Sequence, residues 1–416
     1  MRRPAVGQTA DPNPSRNAGN LYIAFDLSAT KWQLAISDGV AKPSDIVLDR
    51  TTVQSAKEAL VAQIRAAKQR FGLDPGCPVH AVYEAGRDGY WIARWLGQLG
   101  VNCLIVDPAS IAVDRKAKHA KTDALDARKL LILLCDHVNG RAGLRVLQPP
   151  GATDEDAREL HRLAQRLQKN RGQLALRVQS LLFAQGIDRA YHIGLAQEIG
   201  DLRTGDGRAL GPTLHMEIAV LCRQIAALDT ELDALDAKRA QALAAPTTAT
   251  ERVASQLENL VGIGPIGAWM LAHELFGWRQ FKNGKHLASF LGLTPTPFAS
   301  GAMTREQGIS KAGPGPLRAL MIQLAWSWLR YQPQSPLAQW FNERWAKGGK
   351  RSRRLGIVAL ARKLVILLWR HATTGEVPDG VEFKPGDRKL KVCYRQPRPE
   401  ASPRRRSPVR QPRQTA

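Results

Sequence analysis

Leu21–Ser37, LYIAFDLSATKWQLAIS, holds two apolar runs, Leu21–Leu27 and Lys31–Ser37, on either side of the short insert Ser28-Ala29-Thr30. Runs of this length bounded by turn residues predict two strands joined by a turn. An acid, Asp26, closes the first run. Downstream, Ser55–Phe71 repeats apolar residues every three to four positions and predicts a helix. VHAVYEA (Val79–Ala85) predicts a strand, GYWIARWLGQLG (Gly89–Gly100) a helix, and VNCLIVD (Val101–Asp107) another strand. KTDALDARKLL (Lys121–Leu131) then opens a helix that runs on through Leu134. Strands alternating with helices in this order predict an α/β layer fold.

Four carboxylates stand at telling places in that order. Asp26 and Glu84 end apolar strands, and Asp123 and Asp126 lie three positions apart at a helix start, so they share one helix face. Acids brought together repel, and a cation offsets the repulsion. A pair of Mg²⁺ ions held by such acids is a common means of breaking phosphodiester bonds. Each acid alone has a plainer reading. Asp26 can be a turn or cap residue, Glu84 can cap its strand, and Asp123 and Asp126 can serve as cap and favourable charge in a first helical turn. The signal is the ordered combination.

The chain of 416 residues has room for two or three domains, and 44% hydrophobic residues suffice for sizeable cores. A formal charge of +23 points to a polyanionic partner, nucleic acid first and a membrane surface second. No apolar run reaches the 18 or more residues of a bilayer span. The N-terminal MRRPAVGQTADPNPSRNAGN lacks an apolar secretory core and reads as a disordered arm. The five cysteines, Cys77, Cys103, Cys135, Cys222 and Cys393, are odd in number, dispersed and without a CxxC, which argues for reduced thiols in the cytoplasm rather than a disulfide framework or a cysteine-based zinc site.

Leu160, Leu167, Leu174 and Leu181 recur every seven residues. After a glycine-containing break, Leu214, Ile218, Leu221, Ile225, Leu228, Leu232 and Leu235 alternate spacings of four and three. That is a heptad seam, predicting an antiparallel coiled coil within the chain or a pairing between chains. A bundle helix facing a core is the plainer alternative for the first segment. Next, LENLVGIGPIGAWMLAHEL (Leu257–Leu275) places Gly262 and Gly264 between two helical stretches, with Pro265 suited to a first helical turn. This resembles a helix-hairpin-helix, whose glycines let backbone N–H groups approach a phosphate; an ordinary tight turn is the alternative. A Pro- and Gly-rich loop carrying Ser300-Gly301 and Ser310-Lys311 follows, then a long apolar helix from Leu317 and a basic amphipathic helix after Lys350. From about Thr374 the Pro- and Arg-rich chain predicts a disordered basic tail.

In combination FDLSATKW, YEAGRDGYW, KTDALDA, VGIGPIGAW and the stretch from LGLTPTPFASG through GISKAGPGPLRALM resemble the insertion-sequence 110 family of transposases, bridge-RNA-guided recombinases that include the 1111 subgroup. The resemblance runs from about Leu21 to about His371; the N-terminal arm and the basic tail depart from it. It implies a RuvC-like domain of the RNase H fold over 20–145, a coiled-coil insertion over 146–250 and a mostly α-helical transposase domain with a helix-hairpin-helix over 251–373; composition adds a disordered arm over 1–19 and the basic tail over 374–416. It implies that Asp26, Glu84, Asp123 and Asp126 hold Mg²⁺ and that a serine attacks DNA, Ser300 being the best match and Ser310 the runner-up. Donor and target duplex DNA, a structured bridge RNA and a homo-oligomer with composite sites are the implied partners. Lys311 and Arg318 beside the serine loop, with Gly262 and Gly264, are candidate nucleic-acid contacts.

Two other readings compete. A RuvC-like junction resolvase would use the same acids with water as nucleophile. FDLSATK also resembles the first phosphate loop of sugar kinases and actin-like ATPases, but no second Gly-rich phosphate loop or adenosine motif accompanies it, and the charge is wrong for a metabolic kinase. A binding protein without catalysis is disfavoured by the intact acids and serine.

Overall fold

The computed structural model describes residues 19–107, 122–141, 143–300 and 303–385. The expected N-terminal arm up to residue 18, and the basic tail with Cys393 from 386 onward, lie outside them. The chain divides between Pro150 and Gly151 into two compact units.

The first unit is built on a six-stranded sheet of order β3-β2-β1-β4-β5-β6. Strands β1 (Leu21–Leu27), β2 (Lys31–Ser37) and β3 (Ser44–Asp49) form an antiparallel meander. Helix α1 (Val53–Arg70) crosses over to β4 (Val79–Glu84), which pairs parallel to β1; α2 (Trp91–Gln98) leads to β5 (Val101–Val106), parallel to β4. Helix α3 (Asp123–Val138) and the short antiparallel edge strand β6 (Val146–Leu147) complete the unit. Thr52 starts α1 with a capping box, its hydroxyl accepting the Ser55 N–H at 3.0 Å.

Alternation along the strands gives the sheet two buried faces. Leu21, Ile23, Phe25, Trp32, Leu34 and Ile36 face one way, onto Leu60 of α1 and Ile92 and Leu96 of α2. Tyr22, Ala24, Ala35, Val82 and Val106 face the other, under Ala127, Leu130, Leu131 and Leu134 of α3. The small alanines let α3 approach closely. Strand β3 is absent from the sequence reading: its single buried residue, Leu48, leaves an edge strand with almost no apolar pattern.

In the second unit α4 (Ala152–Ala184) and α6 (Pro212–Ala244), 33 residues each, lie side by side, linked through the short α5 (Leu195–Glu198). Arg177 meets Glu217 at 2.9 Å and Arg171 meets Asp229 at 2.5 Å, so one index falls as the other rises and the helices run antiparallel. The buried stripe of α6 is Ile218, Cys222, Ile225, Leu232, Arg239 and Leu243. It keeps Ile218, Ile225 and Leu232 of the predicted seam but turns away from Leu221, Leu228 and Leu235, which are only half-buried. In α4 the buried residues are Arg158, His161, Ala164, Val178 and Leu182, and the heptad leucines flank them, half-buried. The buried lines of the two helices thus depart from the predicted seam, because partners, not hydrophobicity alone, select what is covered.

The remaining helices enclose one apolar core. They are α7 (Ala249–Glu258), α8 (Pro265–Leu271) running into a wider π-type turn (Ala272–Phe276), α9 (Gly284–Phe290), α10 (Gly315–Tyr331), α11 (Pro336–Phe341) with a second π-type turn (Asn342–Ala346), and α12 (Lys350–Thr374). A hairpin of β7 (Pro295–Ser300) and β8 (Met303–Ile309) is inserted between α9 and α10. Residues past Thr374, expected as tail, continue as structured chain through Lys384: Leu260 bridges Phe383 and Val261 N–H donates to Glu382 O at 3.1 Å. Among the described residues no helix is long and apolar enough to cross a membrane.

Candidate active site

Strand register places the first two acids side by side. Parallel pairing of β1 and β4 sets Phe25 opposite Tyr83, and one further step puts Asp26 beside Glu84 at the strands' C-terminal ends. Alternation turns both toward the face that α3 covers. Thr122 caps α3, its hydroxyl accepting Leu125 N–H at 3.4 Å, and Asp123 and Asp126 fall in the first turn. Lys31, the first residue of β2, pairs with Asp123 at 3.0 Å. Since β2 begins where β1 ends, this contact pins the start of α3 over the sheet end that carries Asp26 and Glu84. All four acids therefore share one face and one end of the sheet.

The four are aligned rather than gathered: among the described residues no three His, Cys, Asp or Glu side chains form a metal-binding group. Two ammonium groups meet the helix acids, Lys31 on Asp123 and Lys129 on Asp126 at 3.2 Å. The donors are hard carboxylate oxygens, the type a divalent magnesium ion takes. Asp26 and Asp126 are half-buried, Glu84 and Asp123 exposed. The loop after Glu84 is braced from below, where Tyr83 donates its hydroxyl to Gly89 O at 2.8 Å and Arg50 pairs with the buried Asp88 at 2.6 Å. Burial pushes the Tyr83 phenol well above its usual range. Lys31 escaped the sequence reading as a site residue. Its position just past the turn that follows Asp26 was visible, but its partner 92 positions away was not.

The serine region belongs to the second unit. Ser300 is the last residue of β7, its Cα paired with Met303 at the far end of the hairpin. Ser310 follows β8 at the hairpin's base, its N–H donating to Thr294 O at 2.9 Å and its hydroxyl buried without a hydrogen-bond partner. Around Ser310 the chain is interlocked. Gly292 (φ 66°) and Gly313 (φ 85°) lie so close to the facing backbone that a Cβ on either would overlap a carbonyl oxygen, of Ala312 and of Phe290 respectively. Lys311 adopts a left-handed φ of 54° and is exposed. Arg318 turns inward, donating to Lys311 O at 3.0 Å and Leu291 O at 3.3 Å, so its guanidinium braces the knot.

Gly262 also has a structural task. Its φ of 89° bends the chain against α10, where Ser327 donates its hydroxyl to Gly262 O at 2.7 Å. Gly264 precedes α8 with open space where a Cβ would stand. Lys384 reaches Ile263 O at 3.2 Å and also pairs with Glu258, covering one side of the turn.

Beneath these helices lies a buried ionic cluster. Glu274, in the first π-type turn, accepts from Arg158 at 2.7 Å, His161 at 3.0 Å and Arg162 at 3.0 Å. Burial would raise its pKa, but bonds from His161 and Arg158 and the two arginine charges outweigh it and hold Glu274 down at about 2. Next to it His273 stacks on Trp269 at 4.0 Å, with both ring nitrogens buried and unpartnered. Burial, then the nearby His161, lowers His273 to about 4.

The chain thus combines a mixed sheet whose four acids are aligned at one end with a helical unit that carries a glycine-rich turn and a serine hairpin. The family model described as Transposase IS116/IS110/IS902 family matches residues 254–339, from within α7 to within α11, and so includes the glycine turn and both serines. "Putative transposase y4rJ" of Sinorhizobium fredii is 33% identical over 382 residues, 88% of this chain and 95% of that protein. "Probable family 20 transposase" of Pseudomonas aeruginosa is 31% identical over 314 residues, covering 74% and 88%. "Transposase for insertion sequence element IS1111A" of Coxiella burnetii is 25% identical over 362 residues, covering 85% and 90%. The protein is a DNA transposase. Within that class, the chain belongs to the IS116/IS110/IS902 family of insertion-sequence transposases.

Proposed function

We propose that this transposase cuts and rejoins DNA through a serine-linked intermediate, with Asp26, Glu84, Asp123 and Asp126 holding Mg²⁺ and Ser300 as nucleophile. The observation that carries the acid half is the placement of Asp26 and Glu84 on adjacent parallel strands beneath the start of α3. A 3-2-1-4-5 sheet with an antiparallel meander leading into parallel strands supports a RuvC-like, RNase H-type domain. The antiparallel α4–α6 pair, with its heptad spacing, supports the coiled-coil insertion.

Bound metal would polarise the scissile phosphate and offset the charge that develops on it. The protein's own groups do the rest. A serine hydroxyl is a weak nucleophile near neutral pH and needs a base to take its proton. As Ser300 Oγ bonds to phosphorus, the bond from phosphorus to the departing strand's oxygen breaks, and that oxygen takes up a proton. The phosphodiester energy is kept in the phosphoserine, and a strand-end hydroxyl from another duplex reverses the step. The position of Ser300 at the hairpin's end favours it over Ser310, whose hydroxyl is enclosed in the glycine knot. Lys311, exposed beside that knot, and the open Gly264 remain candidate phosphate contacts. The family resemblance adds a structured bridge RNA pairing with donor and target, and an oligomer in which acids and serine come from different copies.

Covalent capture tests this reading. The protein is incubated with Mg²⁺, RNA from the element's flank and labelled donor and target DNA, then denatured. Label bound to the parent and to Ser310→Ala but absent from Ser300→Ala is the expected outcome. Cleavage with no protein-bound label on any variant would replace the serine by water and make the protein a resolvase-like nuclease.

A further inference from the structure

We infer that the corner joining α11 to α12 is a docking surface for the phosphodiester backbone of duplex DNA. Arg344, Lys347, Lys350, Arg351, Arg353 and Arg354 crowd into eleven positions, and all six are exposed. Among the described residues none of them has an acidic partner within ion-pair distance, although Arg and Lys elsewhere in this unit, such as Arg158, Arg171, Arg177 and Lys384, do. The 25 residues of α12 contain no Asp or Glu at all.

The arrangement works against the fold. Helix N-termini favour acids and disfavour cations, and this helix begins with four cations in its first five residues. By contrast α3, α4 and α7 carry acids in their first turns. Unpaired like charges also repel one another. A cluster that lowers stability and, apart from Arg344 over the Trp345 ring at 5.9 Å, has no partner among the described residues is explained by an anionic partner. The corner is nonetheless stiff: Trp345, on the second π-type turn, fills the notch left by the missing side chain of Gly356 and meets Phe341 there. Stiffness matters because cations already fixed in place lose less freedom on binding. Duplex DNA is the anion of choice because DNA is what a transposase acts on. A patch of exposed cations with one neighbouring tryptophan, itself half-buried, offers charge without a row of aromatic faces for unstacked bases.

The test needs no cleavage and is therefore independent of the serine mechanism. The full chain, without Mg²⁺, is titrated with a labelled random-sequence duplex and with a single-stranded RNA of equal length, across a salt series. The triple variant Lys347→Gln/Arg351→Gln/Arg354→Gln is compared with Lys169→Gln/Arg223→Gln/Lys238→Gln, which removes three exposed charges from α4 and α6. The corner variant should bind duplex DNA at least about tenfold more weakly near 0.1 M salt, with the slope of log affinity against log salt reduced by about 2 to 3. Its thermal midpoint should hold or rise, because cations leave a helix N-terminus. In the unaltered chain, DNA should protect Lys347 and Lys350 from acetylation, a readout that does not depend on any variant folding. An unchanged slope, an equal loss from the α4–α6 variant, a loss confined to RNA, or no protection of the two lysines would each overturn the inference.

Discussion

The acid corner of the first unit and the serine region of the second are built on opposite principles. The corner is an open sheet end, where polar side chains project past the core and lysines offset the charge. The serine region is closed. Two left-handed glycines interlock around Ser310 and Arg318 ties the loop to its neighbours, while elsewhere in the same unit Glu274 is held by three basic side chains. The first can be altered chemically at little cost to folding, whereas the second is held in place by contacts whose loss is felt throughout the unit. A site that must admit a ligand sits at the weakly constrained end of a fold, and the element that presents a reacting group gains from rigidity.

Substitutions at the two regions should separate along this line. The largest effect belongs to Gly313→Ala, which adds left-handed strain to an overlap with Phe290 O. A loss of about 4 kcal/mol or more is expected, read as a collapse of the denaturant midpoint. Parental stability in the Gly313→Ala variant would break the picture of an interlocked knot. Glu274→Gln should follow, at about 3 kcal/mol, because it leaves Arg158 buried without its counter-charge; Arg162, more exposed, contributes little to that loss.

The pH dependence of stability refines the same contrast. His273 has a folded pKa of about 4, below its ordinary 6.5, so the unfolded chain binds more protons between those values. Stability is full above about 6.5 and is lost as pH falls toward 4. Glu274 is depressed from 4.5 to about 2, so a second loss follows between those values. His273→Phe should flatten only the upper limb, and since both ring nitrogens lack partners it should cost nothing or stabilise by about 1 kcal/mol. Thermal melts from pH 7 to pH 3 would show it.

The smallest stability change should come from Asp26→Asn and Glu84→Gln, under about 1 kcal/mol each. Strand transfer should nonetheless fall by about 10²-fold or more if both acids act on the reacting phosphate. A variant that keeps full activity removes its acid from the proposed site.

Much of this was legible in the chain. The predicted elements from β1 to α3 stand within a few residues of their expected places, because alternating and helical apolar patterns are local. Edge strand β3 was not legible, since one buried residue makes no pattern. The heptads predicted two long paired helices but put Leu221, Leu228 and Leu235 on the seam, whereas Cys222 is the buried residue and Asp229 the one that pairs across with Arg171 of α4. Gly262 was noticed for its backbone freedom, but its contact with Ser327 of α10 was not legible.

Sequence by itself determined which residues end strands and start helices, the excess of positive charge, and the family motifs, because these depend on near neighbours and composition. Only the tertiary structure decided that Asp26 lies beside Glu84, that Lys31 reaches Asp123, that Arg318 is spent on the backbone, and that the cations before and within the start of α12 stand without acidic partners among the described residues. Each depends on which distant segments meet, and pairing 58 residues apart in parallel register is chosen by the packing of whole faces, not by any local signal.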